Sequence, residues 1–228
     1  MKGSIEMNLK KVRDTYINKI NMNDGAHLID HVDDVYAQAV AMNDELNLNI
    51  PPMSIILMAY THDLFAINRD DHHQLAHDFV MDECVFTKSM DEEEVKKIAM
   101  AVLQHRASFK GDYYSEYSEL LASADRGAPG CVATMIHRSF TFATSKLGKL
   151  KTVAMTHAFE HMAEKYGHGG YAKYPVMYVK YWDCVLNRQQ DLIGTLVTPT
   201  NLQAFNLSSL DKGAMIVALR KHIQGGVV

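Results

Sequence analysis

Apolar positions return at helical spacing along most of the chain. Val95, Ile98, Ala99, Val102 and Leu103 fall on one face and predict a helix between Ser89 and Arg106, with Ser89 and Glu92 spaced as a capping box. Leu28, Val32, Val35, Ala39 and Met42 make a similar stripe after the turn signal Asn23-Asp24-Gly25. Pro51 and Pro52 close an Asn-rich loop and open the next helix, since proline is tolerated in a first helical turn. That helix, Ile55-Ile56-Leu57-Met58-Ala59-Tyr60, is apolar almost all round, which predicts a central, buried element. Further helices are expected near 5–20, 72–86, 118–125, 131–146, 152–166, 176–190 and 210–222, with breaks at 110–115, 127–130, 167–174 and 198–208. No strand-length alternating segment falls between turn signals, and no stretch has the composition of a linker or repeat. The expected fold is an all-α bundle, with residues 1–228 forming a single domain.

The doublet His62-Asp63 closes the apolar helix, where an ionised carboxylate costs several kcal/mol, roughly, unless it has a partner. A cation is the obvious partner, and the adjacent imidazole supplies a second ligand. His27 and His31 lie four residues apart on the preceding helix, with His31 next to the stripe residue Val32. Asp125 repeats the logic of Asp63, because it ends the run Leu120-Leu121-Ala122-Ser123-Ala124. Together His31, His62, Asp63 and Asp125 offer two imidazoles and two carboxylates. That set suits Mn²⁺, Mg²⁺, Fe²⁺, Co²⁺ or Ni²⁺ with positions left for water, an arrangement of catalytic rather than structural sites.

Composition narrows the partners. Of 228 residues 47% are hydrophobic and 22% charged, as in an ordinary globular chain, and the net charge of −4 leaves no footprint for duplex nucleic acid. The N-terminus opens directly into charged sequence, and no apolar run approaches the roughly twenty residues of a membrane span. A cytoplasmic protein without a membrane partner is expected. Cys84, Cys131 and Cys184 are odd in number and far apart, which favours reduced thiols over disulfides or a zinc knuckle. The 14 methionines are explained by gap-filling in a helical core.

At these residues the chain resembles the HD-domain superfamily of metal-dependent phosphohydrolases, whose pattern is a His, a His-Asp doublet and a distant Asp. The stretch His27-Leu28-Ile29-Asp30-His31-Val32-Asp33-Asp34-Val35 is similar to the opening helix of a small, single-domain bacterial branch. Ala59-Tyr60-Thr61-His62-Asp63-Leu64-Phe65 is similar to its second motif. Gln104-His105-Arg106-Ala107-Ser108-Phe109 and Leu121-Ala122-Ser123-Ala124-Asp125-Arg126 resemble its later segment, so the likeness covers about residues 25–165. The resemblance implies an HD-type helical bundle, a divalent metal on His31, His62, Asp63 and Asp125, and hydrolysis of a small phosphorylated substrate, a nucleotide first among them. Two positions depart from the pattern. Ala66 stands where many members carry an acidic residue that orients the attacking water, and the usual glycine after the doublet is replaced by Leu64-Phe65-Ala66. Asp70, Asp71 or Glu83 could supply the base, or the metal alone could lower the water's pKa.

Under that reading Asp63 serves both metal and catalysis, while Arg106 and Lys110, with Arg126 next, are the cations expected to balance phosphate charge. Each also has an ordinary role near a helix end. His27, His73 and His105 are candidates for an outer shell or a second metal, and His73 with His77 has i,i+4 spacing in the run that begins at His72. His157 and His161 share that spacing but not the zincin pattern, so a helix face is expected there. The loop His168-Gly169-Gly170-Tyr171 could close over a substrate, and Tyr171, Tyr174, Tyr178, Tyr181 and Trp182 could stack a base or pack between helices. Two other classes remain beside the hydrolase: a nucleotide-sensing or partner-binding module that keeps the metal but has lost efficient turnover, suggested by Ala66, and a di-iron oxygenase. Oligomeric state is open.

Overall fold

The computed structural model describes residues 2–23, 28–68, 70–198 and 212–224. Among them the chain is entirely helical, without a strand. His27, the Asp24-Gly25 turn signal, the expected start of the last helix at Leu210 and most of the 198–208 break lie outside the described residues. None of the described helices is long and apolar enough to cross a membrane.

The chain divides into two compact units. Residues 1–128 with 174–181 form the first, and 129–173 with 182–228 the second. The first holds α1 (Lys2–Ile20), α2 (Ile29–Glu45), α3 (Pro52–Thr61), α4 (His72–Asp78), α5 (Glu92–Gln104) and α6 (Glu116–Asp125), with a π-helical turn (Phe79–Glu83) continuing α4. Every residue of α3 from Ser54 to Thr61 is buried, because α1, α2 and α5 pack around it. Fully burying an Ile, Leu or Met side chain is worth about 1.5–3 kcal/mol each, so Ile55, Ile56, Leu57 and Met58 dominate this core. Around them Val12, Tyr16 and Ile20 repeat at i,i+4 on α1, while Val32, Val35, Ala39 and Met42 form the inner stripe of α2.

Polar ties hold these helices in register. Arg13 on α1 grips Asp33 on α2 through both carboxylate oxygens (Nη2 at 2.9 Å), and the Tyr60 hydroxyl of α3 donates to the same carboxylate. Glu94 on α5 accepts from Ser54 of α3 and, at 2.9 Å, from Tyr117 of α6. The start of α5 differs from the expected capping box. Asp91 is its N-cap, accepting from the Glu93 amide at 3.0 Å, and Glu92 is the first helical residue. Asp91 caps more directly, and Glu92, Glu93 and Glu94 then complement the positive end of the helix.

The second unit holds α7 (Val132–Ser145), α8 (Lys151–Tyr166) and α10 (Lys212–Gln224), and α9 (Val176–Gly194) has its first turns in the first unit and the rest here. Its core is separate: Ile136 and Phe140 from α7, Met155, Phe159 and Met162 from α8, Ile193 from α9, Met215 and Leu219 from α10.

Candidate metal centre

The last turn of α3 delivers the doublet. His62 caps the helix with its amide bonded to the Met58 carbonyl at 3.1 Å, and the chain then coils tightly, Leu64 to Thr61 and Ala66 to Asp63. Asn23, just past α1, holds this coil from outside. Its amide nitrogen donates to the Asp63 carbonyl at 2.8 Å, and its carbonyl oxygen accepts from the Ile67 amide at 2.9 Å. A side chain that reads in sequence only as part of a turn signal therefore fixes the backbone of the central carboxylate. Because Leu64-Phe65-Ala66 follows a closed turn bonded to Asn23, no glycine is required there.

His31 on α2, His62 and Asp63 after α3, and Asp125 at the end of α6 bring one ligand atom each to within 4.8 Å of one another. His31 Nε2 lies 3.5 Å from Asp63 Oδ2 and 3.3 Å from Asp125 Oδ1. His62 Nε2 lies 3.2 Å from Asp63 Oδ2 and 3.7 Å from Asp125 Oδ1. A second group shares Asp63. Its other oxygen, Oδ1, is 3.5 Å from His72 Nε2 and 3.5 Å from His105 Nε2. All three of Asp63, His72 and His105 are buried.

The imidazoles are oriented by the backbone. His62 Nδ1 contacts the Ala59 carbonyl at 2.8 Å and His105 Nδ1 the Val102 carbonyl at 2.6 Å. A carbonyl can only accept, so each Nδ1 carries its proton and each Nε2 turns toward Asp63. His62 Nε2 is fully buried and makes no aligned hydrogen bond. A nitrogen lone pair 3.2 Å from a carboxylate oxygen is tolerable only with a proton or a cation between them. The residues present thus fit a divalent ion chemically: buried or half-buried nitrogen and oxygen donors that can lose their protons, with the Nδ1 atoms of His62 and His105 already satisfied by backbone carbonyls.

Electrostatics agree. Burial opposes charge on His62, but Asp63 and Asp125 outweigh it and hold the imidazole well above its ordinary pKa. His31 is raised for the same reason, its burial offset by bonds to Asp125 and Asp63. Burial alone would push both carboxyl groups up, yet His62, His105 and His31 hold Asp63 well below the usual carboxylate range, and His31 and His62 do the same for Asp125. The carboxylates remain ionised, as ligands must.

The remaining candidates are placed as follows. His72, not His73, faces Asp63: His72, Ala76 and Val80 repeat at i,i+4 on the buried side of α4 and the π turn. That inward stripe was visible in the sequence but overshadowed by the equally spaced His73 and His77. His73 sits instead beside Arg106, whose Nη1 is 3.5 Å away and donates to the Asp70 carbonyl at 3.1 Å. Lys110 is exposed. Arg126 donates to the Ala122 carbonyl one turn back, and its charge and a hydrogen bond act on Tyr113. Ala66 is buried and Glu83 lies near Lys19. His157 and His161 stack on each other with ring centroids 5.9 Å apart in the second unit. His168 pairs with Asp191 at 2.8 Å, and Tyr174 stacks on Tyr178 at 4.9 Å.

Comparison of the chain with family models, curated proteins and solved structures finds no match.

Proposed function

We propose that the protein is a metal-dependent phosphohydrolase of the HD type, acting on a small phosphorylated metabolite of the nucleotide class. One observation carries this reading: Asp63 presents one carboxylate oxygen to His31 and His62 and the other to His72 and His105. Such a carboxylate is built to be shared between two neighbouring cation positions, with Asp125 completing the first. The family resemblance, which is associational, supplies the phosphoester or phosphoanhydride bond and the nucleotide class.

His31, His62, Asp63 and Asp125 would hold one divalent ion, and His72, His105 and Asp63 a second. When bound, such ions polarise a phosphoryl oxygen and lower the pKa of water into the neutral range. The protein's own contribution is orientation and charge. The Ala59 and Val102 carbonyls hold His62 and His105 in the ligating tautomer, and Asn23 fixes the backbone of Asp63. Arg106, anchored on the Asp70 carbonyl, holds its guanidinium beside His73, the chain neighbour of His72, where it would balance an anionic phosphoryl oxygen. Lys110, five residues beyond His105, adds a second, exposed cation. With Ala66 in place of a carboxylate, activation of water rests on Asp70, Asp71 or the metal itself.

The test is phosphate or pyrophosphate release from a panel of nucleotides and phosphomonoesters with Mn²⁺, Mg²⁺, Fe²⁺, Co²⁺ or Ni²⁺ added to stripped protein. Metal-dependent turnover supports the hydrolase. Tight nucleotide binding without turnover under any metal would replace it by a sensor. A carboxylate whose two oxygens face separate histidine pairs would also suit a di-iron oxygenase, the second reading; two irons per chain with substrate-dependent oxygen consumption and no phosphate release would select it.

A further inference from the structure

The α7–α8 hairpin of the second unit ends in a tip whose side chains do not join the core. Helix α7 closes through bonds from the Lys146 and Leu147 amides to the Phe142 carbonyl (2.9 and 3.3 Å) and from the Lys149 amide to the Ala143 carbonyl (3.0 Å). Gly148 turns the chain at φ +63°, a conformation that suits glycine, and the Leu150 carbonyl accepts from Ala154 to start α8. The inner faces bury Ile136, Phe140, Ala143, Ala154, Met155 and Ala158. This fixed turn leaves Phe142, Leu147, Leu150 and Val153 exposed by 51, 49, 76 and 49%. Scattered single apolar residues are ordinary on a surface; four within twelve residues at one hairpin tip are not.

Charge singles out the same place. From Arg126 through Phe159 the sequence has no Asp or Glu, while Arg138, Lys146, Lys149 and Lys151 lie on α7, the turn and the first residue of α8. The net charge of −4 conceals this. The first unit has 13 Lys and Arg against 22 Asp and Glu, whereas the second has 10 against 5.

We propose that this tip is a peripheral docking element for an anionic lipid surface. Aliphatic side chains enter the boundary between headgroups and acyl chains, and lysines on flexible stems stay at headgroup level beside the phosphates. The chemistry favours lipid over the other anionic partners. At the turn itself lysines alternate with leucines, and Phe142 is the one ring among the four exposed apolar side chains, short of the row of stacking rings that holds a single strand of nucleic acid. The lack of a spanning helix, which argued against a membrane partner in the sequence, bears on insertion across a bilayer and not on contact with its face.

The experiment is flotation of the whole 228-residue chain with phosphatidylcholine vesicles with and without phosphatidylserine, at low and high salt. The expected result is binding that needs phosphatidylserine and is lost at high salt. Lys146→Gln and Lys149→Gln are each expected to weaken it about fivefold, the ratio that corresponds to about 1 kcal/mol per lysine near such a surface. The double variant Leu147→Ser/Leu150→Ser should abolish flotation with an unchanged melting curve; if it melts lower, Leu150→Ser alone, at the most exposed position, decides. The proposal is overturned if wild-type protein does not float with phosphatidylserine, or if the leucine and lysine variants float like wild type. It is also overturned if the tip binds an oligonucleotide in preference to vesicles, or if it mediates self-association, lost in Leu150→Ser, without any lipid.

Discussion

Two pairs of histidines show how one residue type acquires different chemistry. His62 and His105 in the first unit are buried, have their Nδ1 atoms on backbone carbonyls and direct Nε2 at Asp63. His157 and His161 in the second unit are half-buried and stack on one another, and His161 also meets Tyr166 and Tyr171. Burial and the neighbouring Lys165 hold the His161 pKa down. An i,i+4 spacing does not mark a ligand pair, since His157 and His161 have it and His62 and His105 do not. What separates them is a buried carboxylate: Asp63 cannot stay ionised where it lies without positive charge, and the imidazoles around it can supply that charge as proton carriers or hold a cation that does.

Substitutions can break this contrast, beginning with the largest effect. Asp63→Ala removes the carboxylate common to both groups. We expect loss of all bound divalent metal by elemental analysis and a fall in turnover on the order of a thousandfold or more. His157→Ala/His161→Ala should leave metal content unchanged, and a loss there would end the distinction. His72→Ala and His105→Ala should each lower the metal-to-protein ratio by one ion while the first site stays filled. Equal loss of every ion would show one site rather than two.

Smaller effects sharpen the comparison. Asn23→Ala frees the backbone of Asp63 without touching a ligand atom, and is expected to weaken metal affinity about ten- to a hundredfold in a chelator competition, as for other outer-shell partners. Arg106→Ala should lower kcat/KM about tenfold or more with metal content intact. Unchanged kinetics would remove Arg106 as the phosphate clamp.

The pH response of the metal-free protein follows from the same charges. His31 and His62 have folded pKa values above their ordinary one, so their contribution is complete below about pH 6.5 and is lost as pH rises through the raised values. Asp63 and Asp125 lie below theirs, so their contribution holds above about pH 4 and is lost only as pH falls through the lowered values. In chelator, the melting temperature should therefore decline as pH rises above about 6.5, with stability falling by about 1.4 kcal/mol for each unit over which an imidazole stays protonated only in the fold. Added divalent cation should stabilise most at the alkaline end, where it no longer competes with protons. A melting temperature that rises with pH in chelator would contradict the charge assignment.

The central helix and its end were legible in sequence because burial on all sides leaves a continuous apolar run, and an acidic residue breaking that run has no cheap explanation. The stripes of α2 and α5 were legible for the related reason that a helix with one buried face must repeat its apolar residues at that period. Asp125 could be paired with Asp63 from this logic alone. The cap of α5 was misplaced by two residues because Ser89 and Asp91 both offer a capping oxygen, and local sequence does not say which one the helix uses.

Sequence by itself thus determined the helical class, the carboxylates that end apolar helices and imidazoles able to meet them, because period and polarity act locally. Only tertiary structure decided that His72 rather than His73 faces Asp63, that Asp63 divides its oxygens between two groups, and that Asn23 holds it in place. Those facts depend on which faces of α1, α3, α4 and α5 meet. That meeting is fixed by packing among residues tens of positions apart, and no local pattern encodes it.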